Sequence, residues 1–378
     1  MIKFITSGKS HGKRLIAIVR GMPAGLTVKE QDVNIELRRR QSGYGRGRRM
    51  EIEKDKVKIL SGIRSSKTTG RAIILAIWNK DWRKHKLEPI NVPRPGHADL
   101  SGAIKYNQKN IRNIWERASA RETVARVAAG AVAKKLLKEF GIEVLSHVVE
   151  IGGVKAVSSV KCQVSSLRNK IKKIDDSPLR CLDKDAEKKM MKVIDQAKKR
   201  GDTVGGIFEV IVFNVPVGLG SYVQWNARFN AKLAIAVMSI QGIKGVEVGL
   251  GFDSARKFGS QVHDEIFYSK NKGFFHKTNN AGGIEGGISN GELIVLRAAM
   301  KPIPTLAHPL NSVDLKTKEP AKAPVLRADI CAVPAAGVVG EAMIAVEIAS
   351  AMIEEFGGDD LRKMKKNYMK YLKYVKDF

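Results

Sequence analysis

Residues 119–140 read Ser119-Ala-Arg-Glu-Thr-Val-Ala-Arg-Val-Ala-Ala-Gly-Ala-Val-Ala-Lys-Lys-Leu-Leu-Lys-Glu-Phe140. The stretch has no proline, and good helix formers run through it, so it predicts a long helix. Ser119 followed three residues later by Glu122 fits a capping box at its start. Ala128, Ala129, Gly130, Ala131 and Ala133 carry little or no side chain, so a second element could pack very close. A polar surface helix would not be written this way.

Upstream, "KFITSGKSHGKRLIAIVRGMPAGL" (residues 3–26) reads as strand, turn, strand, and a helix follows from about Lys29 to Arg40, with Val33 and Leu37 four apart. Partial alternation over Glu51–Ile63 and Arg71–Trp78 predicts a hairpin. Residues 155–200 are polar, basic and poor in aromatics, and read as a peripheral insertion. Beyond Gly201, "GGIFEVIVFNVPVGLGS" is strand-like, "ARFNAKLAIAVMSIQ" helical, "GVEVGLGF" a strand and "NNAGGIEGGISNG" a loop. "ELIVLRAAMKPIPTL" is again a strand, and a long helix spans about Gly337–Phe356. Residues 357–378 form a basic C-terminal helix or tail. Periodicity alone gives only mixed α and β.

One echo stands out. Ile16–Leu26 and Val210–Leu219 are both strands ending in x-P-x-G-L, each followed some residues later by a helix. Two similar turns would explain it, and so would an old duplication of a strand–turn–helix unit.

The 378 residues suffice for a large core. The most apolar stretch, Ala335 to Met352, is interrupted by Glu341 and Glu347, so no membrane span is expected. The first apolar run is too short and too lysine-flanked for a signal peptide. Three cysteines (Cys162, Cys181, Cys331) lack metal-ligand spacing and, being odd in number, make no disulfide framework. A reducing cytoplasm and no metal are the expectations. The formal charge of +29 fits either nucleic-acid binding or an enzyme for small polyanions. Lysines crowd residues 161–200 and the C-terminal segment as solvated faces, whereas arginines gather in glycine-rich turns.

Those turns carry the chemistry. "GKSHG" (residues 8–12) resembles a nucleotide-binding loop only in its Gly-Lys-Ser, since Lys3 stands where the Walker spacing needs glycine. Six arginines lie within the twelve residues from Arg38 to Arg49, and guanidinium forks suit phosphate and carboxylate oxygens. An RNA-binding arm is the competing account, but only Tyr44 is interleaved. In "RPGHAD" (94–99), His97 three residues after Arg94 suits acid work beside an anion, or is a structural turn residue. Arg117 and Arg121 sit where a helix N-terminus would favour phosphate.

The ordered set "G-x-SHG", "RRRQ-x-GYGRG", "RPGHAD", "R-x-SARET-x-x-RVA-x-GA", "GD-x-x-GG", "PVGLGSYVQW", "NN-x-GG-x-EGG", "MKPIPTL" and "R-x-D…PAAG" runs from residue 8 to about 340 and resembles chorismate synthases. The resemblance implies an α+β fold in a single large domain over residues 1–378, a β-α-β sandwich. It implies 1,4-anti elimination of phosphate and a C6 proton from 5-enolpyruvylshikimate 3-phosphate, giving chorismate. Reduced FMN is required without net redox change, lending an electron as phosphate leaves and then recovering it. NADPH serves flavin-reducing members, and others rely on a separate flavin reductase. A homotetramer is implied, with no nucleic-acid or membrane partner. A basic RNA-binding protein or a catalytically lapsed paralogue on the same scaffold is the alternative.

Carried over by position, the family pattern puts His11 at the flavin as its proton donor, His97 beside the leaving phosphate and Asp329 near flavin N5. Ser10, Arg40, Arg46, Arg49, Arg94 and Arg121 match substrate-binding positions, and Arg40 and Arg46 also match those for NADPH. The FMN positions are Arg117, Ala118, Ser119, Gln241, Gly242, Gly286, Lys301, Pro302, Ile303, Pro304, Thr305 and Arg327. Three departures stand out. Lys9 replaces a glutamate, and its charge would disfavour a protonated His11 if the two side chains were close. Ala118 replaces a serine, and Gln241-Gly242 replaces Asn-Ala.

Overall fold

The computed structural model describes residues 1–47, 54–80, 82, 88–156, 167, 169, 173–326 and 328–378. Arg49 and Arg327 lie outside them, as does much of the segment between residues 155 and 172.

The first half of the chain runs β1 (Lys3–Gly8), β2 (Arg14–Arg20), α1 (Glu30–Gln41), β3 (Val57–Ser61) and β4 (Ile73–Trp78). Two short helices follow, α2 (Asp99–Lys105) and α3 (Arg112–Ala118), then the long α4 (Thr123–Lys138). β1, β2, β4 and β3 form, in that order, an antiparallel four-stranded sheet. The second half begins with β5 (Glu143–Ile151) and α5 (Lys184–Lys199). It continues through β6 (Gly206–Phe213), α6 (Phe229–Met238), β7 (Ile243–Val248) and a hairpin of β8 (Ile266–Ser269) with β9 (Gly273–His276). Last come β10 (Ile294–Met300), α7 (Val333–Phe356) and α8 (Leu361–Asp377). Its sheet has the order β7-β10-β6-β5, extended at the β5 edge by Val154–Lys155.

The two halves share one plan. β1-β2-α1-β3-β4-α4 is matched by β5-β6-α6-β7-β10-α7, and each sheet is ordered first, second, fourth, third with every pair antiparallel. The x-P-x-G-L echo is part of it. Gly25 and Gly218 both take positive φ, at 91° and 98°, which glycine adopts without steric cost. Thr68 Oγ1 donates to Pro23 O and Ser289 Oγ to Pro216 O, each at 2.6 Å. The same two hydroxyls accept from Leu26 N and Leu219 N, each at 2.9 Å. Two unrelated turns would not share strand order, glycine conformation and a hydroxyl clamp. The duplication reading holds.

β2 and β4 pack on α4, β5 and β6 pack on α7, and α4 and α7 pack on each other. Small residues permit this closeness. A Cβ built on Gly130 would fall 2.4 Å from that of Ala342, and one on Gly340 would fall 2.7 Å from Phe208 Cε2. Both distances are far inside van der Waals contact, so α7 fits between α4 and the second sheet only with hydrogen at those positions.

Amid this apolar layer sits Glu341, with no exposed surface. Its carboxylate accepts from Arg39 of α1 at 2.6 and 3.0 Å, from Lys134 of α4, from Arg180 at 2.7 Å and from Ser146 of β5 at 2.6 Å. Glu36 shares Arg39 and Lys134, each at 2.7 Å. Burial alone would raise the Glu341 carboxyl, but Arg39, Lys134 and Arg180 hold it well below the usual range. Glu341 thus links α1, α4, α7 and β5.

Two expectations need correction. The helix does not start at Ser119: α3 ends at Ala118, and a 3₁₀ turn over Ala120–Glu122 leads into α4. Ser119 Oγ accepts from Arg121 N at 3.2 Å, and the Glu122 carboxylate binds Thr6, Arg126 and Gln241 instead of closing a capping box. β5 and α5 were absent from the sequence reading altogether.

Glu341→Gln leaves buried cations without their counter-charge and is expected to cost about 3–5 kcal/mol in urea unfolding at pH 7. The folded carboxyl is depressed below its unfolded value of 4.5, so this stabilisation is complete above that value and lost as pH falls below it. The gap between wild type and variant should therefore narrow in acid.

Candidate active site

The matched halves bring loops from far apart in the chain to one region. His11 and Ser10 sit on the β1–β2 turn. Asn79, just past β4, ties that turn down, its Nδ2 donating to Gly12 O at 2.7 Å and Ser10 O at 3.3 Å. Its Oδ1 accepts from Arg121 Nε at 3.0 Å and Nη2 at 2.7 Å. Arg121 is bidentate to Asp55, at 2.7 and 2.6 Å. Asp55 is also 4.0 Å from Arg40 at the end of α1.

Arg40 is the outlier among these cations. Its side chain is 7 % exposed, Nε donates to Thr123 Oγ1 at 2.9 Å and Nη2 to Ala120 O at 3.2 Å. Nη1 is buried with no hydrogen-bond partner among the described residues. Burial, then the neighbouring Arg46 and Arg121, push the guanidinium down to about 9. A buried donor left unpaired costs free energy that an incoming anion would recover. Arg46 Nη1 lies 2.8 Å from Asp329 Oδ2, and Gly47 N donates to Asp329 Oδ1 at 2.6 Å. The arginine-rich loop is thereby folded onto the segment that precedes α7.

His11, 33 % exposed, has its Nδ1 3.0 Å from Glu116 Oε1, and its backbone N donates to Glu116 Oε2 at 2.8 Å. Lys9 is exposed. The charge beside His11 is thus the carboxylate of α3, reached from 105 residues away.

His97, 15 % exposed, directs Nδ1 to Asp99 Oδ1 in a short contact. Arg94 serves the same carboxylate through N at 3.0 Å, Nε at 2.9 Å and Nη2 at 3.2 Å, and donates from Nη1 to Thr305 Oγ1 at 3.1 Å. Its guanidinium stacks 4.0 Å from the Trp115 ring centroid. Burial would raise the Asp99 carboxyl, yet the donors from His97 and Arg94 hold it well below the usual range. Arg94, expected to meet substrate, is here engaged chiefly by Asp99.

A cleft of about 390 Å³ opens beside β1, lined by Phe4, Thr6, Arg117, Glu122, Arg126, Ser239, Gln241 and Met343. Arg117 Nη2 donates to Thr6 O at 3.0 Å, and Gln241 Nε2 to Glu122 Oε2 at 3.0 Å. Gln241 Oε1 is buried without a partner among the described residues. The Lys301–Thr305 segment joins Gly242 to the His97 turn, since Lys301 N donates to Gly242 O at 3.0 Å and Lys301 Nζ to Gly96 O. Ile303 O accepts from Thr203 Oγ1 at 2.7 Å, and a Cβ on Gly96 would lie 3.5 Å from Pro304 Cβ. Ala118 ends α3 and Ser119 caps the 3₁₀ turn beside it. Gly286 stands apart from these contacts, in the tight hairpin of Ile284–Glu285 with Ile288–Ser289, whose Gly287 O accepts from Phe229 N at 2.8 Å.

Sequence reasoning missed Asp55, Asn79, Asp99, Trp115 and Glu116. Asp99 lies inside a motif already singled out, two residues from His97, and its acidity there was the available signal, whereas Glu116 directly precedes another motif but stands 105 residues from His11. Asp55 and Asn79 carry none.

A sequence profile of the chorismate synthase family matches residues 2–353. The chorismate synthase of Geobacter sulfurreducens is 53 % identical over 399 aligned residues covering all of both chains. That of Thermoanaerobacter pseudethanolicus is 54 % identical, again over all of both chains. A solved chorismate synthase crystal structure superposes with a TM-score of 0.84 at 48 % identity, covering 100 % of this chain and 99 % of the other.

Because Lys9 faces solvent and Glu116 supplies the charge at His11, Lys9→Glu is expected to leave the pH–rate profile unchanged, with kcat/KM within about twofold of wild type. A displaced acid limb would show that residue 9 acts on His11 after all.

Proposed function

The chain belongs to the chorismate synthase family, and we propose that its site works on 5-enolpyruvylshikimate 3-phosphate as follows. The C3–O bond to phosphate and the C6–H bond break, a second ring double bond forms, and chorismate and phosphate leave. The observation that carries the reading is the buried Nη1 of Arg40, which lies 4.0 Å from Asp55 Oδ2 and has no hydrogen bond among the described residues, with Arg46 and Arg121 as its cationic neighbours. A substrate with a phosphate and two carboxylates satisfies that donor, and fixed cations stabilise the charge that grows on departing phosphate. Ser10, Arg40, Arg46 and Arg121 bind its anionic groups, with Arg49 assigned to the same task on the family pattern. His97 hydrogen-bonds the leaving phosphate through Nε2, held in place at Nδ1 by Asp99, with Arg94 Nη2 3.1 Å away. Asp329 assists the departure of the C6 proton once substrate draws Arg46 away from it.

Reduced FMN, when bound, supplies electron density as phosphate departs and takes it back, so that no net oxidation results. Arg117, Ala118, Ser119, Gln241, Gly242 and the Lys301–Thr305 segment would hold it, joined by Gly286 and Arg327. The unpaired buried acceptor of Gln241 fits a ligand carrying ring N–H groups. His11 holds the proton for that ligand. Gln241 keeps an amide where the family has asparagine, and Ala118 can still offer its main chain. Arg40 and Arg46 also match the positions that bind NADPH in flavin-reducing members of the family.

The helices between two sheets form the family's sandwich. The outer side of the first sheet exposes Ile5, Leu60 and Trp78, apolar surface that a homotetramer would cover. Nothing supports the RNA-binding alternative: Arg39 and Arg40, the heart of the basic motif, have side chains only 11 % and 7 % exposed and turned inward onto Glu341 and Thr123.

Under anaerobic conditions with dithionite-reduced FMN, the protein should release phosphate and chorismate in equal amounts, and NADPH should replace dithionite. Folded, flavin-binding protein that yields neither product would overturn the reading. Activity with dithionite alone would assign flavin reduction to a separate reductase.

A further inference from the structure

We propose that Glu116 and Asp99 are positioning residues that hold His11 and His97 as Nδ1–H tautomers, so that both rings offer Nε2 to the reaction. The inference rests on the roles given to the two histidines above.

A carboxylate only accepts hydrogen bonds, and so dictates which ring nitrogen facing it carries the proton. Glu116 is surrounded by donors. Oε2 takes His11 N at 2.8 Å and Ser10 Oγ at 3.2 Å, and Oε1 lies 3.0 Å from His11 Nδ1. Ser10 Oγ is also 3.0 Å from Nδ1, and with its own proton on Oε2 it too can only accept from the ring. Its carbonyl O accepts Ser10 N at 2.9 Å, so side chain and main chain together clamp the turn. Burial would raise the Glu116 carboxyl, but the donors from His11 and Ser10 lower it overall, which keeps it an acceptor at neutral pH. Asp99 acts similarly at His97, with Arg94 N and Nε on Oδ2 and His97 Nδ1 on Oδ1. Arg94 Nη2 lies 3.1 Å from His97 Nδ1 but also 3.2 Å from Oδ1, so it can donate to the carboxylate and leave Nδ1 its proton. One helix serves both rings. Trp115 of α3 packs under the Arg94 guanidinium, and Glu116 beside it holds His11.

The geometry makes the amide variants informative. In Glu116→Gln the backbone N–H of His11 can only donate, so the amide oxygen stays on it and the NH₂ turns to Nδ1. With the NH₂ on one side and the Ser10 hydroxyl 3.0 Å away able to donate on the other, Nδ1 then accepts and the ring proton moves to Nε2. In Asp99→Asn, Arg94 N and Nε hold the oxygen at the Oδ2 position against the single, longer contact of Nη2 at the other, and the NH₂ faces His97, whose Nδ1 can then accept from Nη2 as well.

Nitrogen-15 NMR of the seven histidines, assigned with His11→Asn and His97→Asn, reads the tautomers directly. Wild type should show Nδ1–H at both rings. Glu116→Gln should move His11 alone to Nε2–H, and Asp99→Asn should move His97 alone. Each exchange should lower kcat by about 10²–10⁴-fold with KM within a few-fold, the pattern of a lost orienting carboxylate. Glu116→Asp should restore Nδ1–H at His11 and recover part of kcat. An Nδ1–H tautomer that survives both amide variants, or a kcat within twofold of wild type, overturns the proposal. Should one variant misfold, the other carries the test. The NMR readout needs no turnover, so variants that show the tautomer shifts beside a wild type that forms no chorismate would refute the reaction reading and leave the positioning roles standing.

Discussion

A fully buried glutamate met by three cations governs how this molecule is put together. Glu341 draws Arg39 from α1, Lys134 from α4 and Arg180 from the chain after residue 173 onto one carboxylate inside the helical layer. Such a cluster is favourable only when nearly every donor is satisfied, and so it specifies the relative setting of its elements more than it adds stability. Arg39 and Arg40 are neighbours on a helix and point about 100° apart. With Arg39 fixed to Glu341, Arg40 is turned toward Asp55, Arg121 and Arg46. Order in the core thereby becomes order in the site.

The duplicated plan explains where that site lies. In each half the same four places supply residues: the link between the first two strands, the end of the first helix, the end of the fourth strand and the approach to the long helix. The first half gives His11, Arg40, Asn79 and Arg121, and the second gives Thr203, Gln241, Lys301–Thr305 and Asp329. Motifs that look scattered along the chain are equivalent ends of two matched units facing one another across the α4–α7 contact.

Much of this was legible in the sequence, and the exceptions have physical reasons. The small residues around Gly130 announced a close partner, and the x-P-x-G-L echo marked equivalent turns in two halves of like strand order. β5 escaped because both its faces are covered, so Val144, Ser146, His147 and Val148 show no alternation. α5 is amphipathic, with Ala186, Met190 and Ile194 buried, but its lysines read as surface alone. Glu341 looked like an interruption in an apolar run, because its cations come from up to 302 residues away. The histidines were found, but Glu116 was not joined to His11, since hydrogen bonds across 105 residues leave no local pattern.

Charge ties these parts together. Asp55 and Asp329 are committed to Arg121 and Arg46, and Arg40 is left buried with a donor to spare. A protein keeps such an arrangement at some cost to the ligand-free state, and an anionic ligand offsets it. Thermal unfolding of Arg40→Met, with and without 5-enolpyruvylshikimate 3-phosphate, tests this most directly. If Arg40 is held in wait for an anion, the variant melts at or above the wild-type temperature without ligand and gains little when substrate is added. A variant that melts well below wild type without ligand, yet is stabilised by substrate as wild type is, would make Arg40 a structural residue and contradict the anion-binding role.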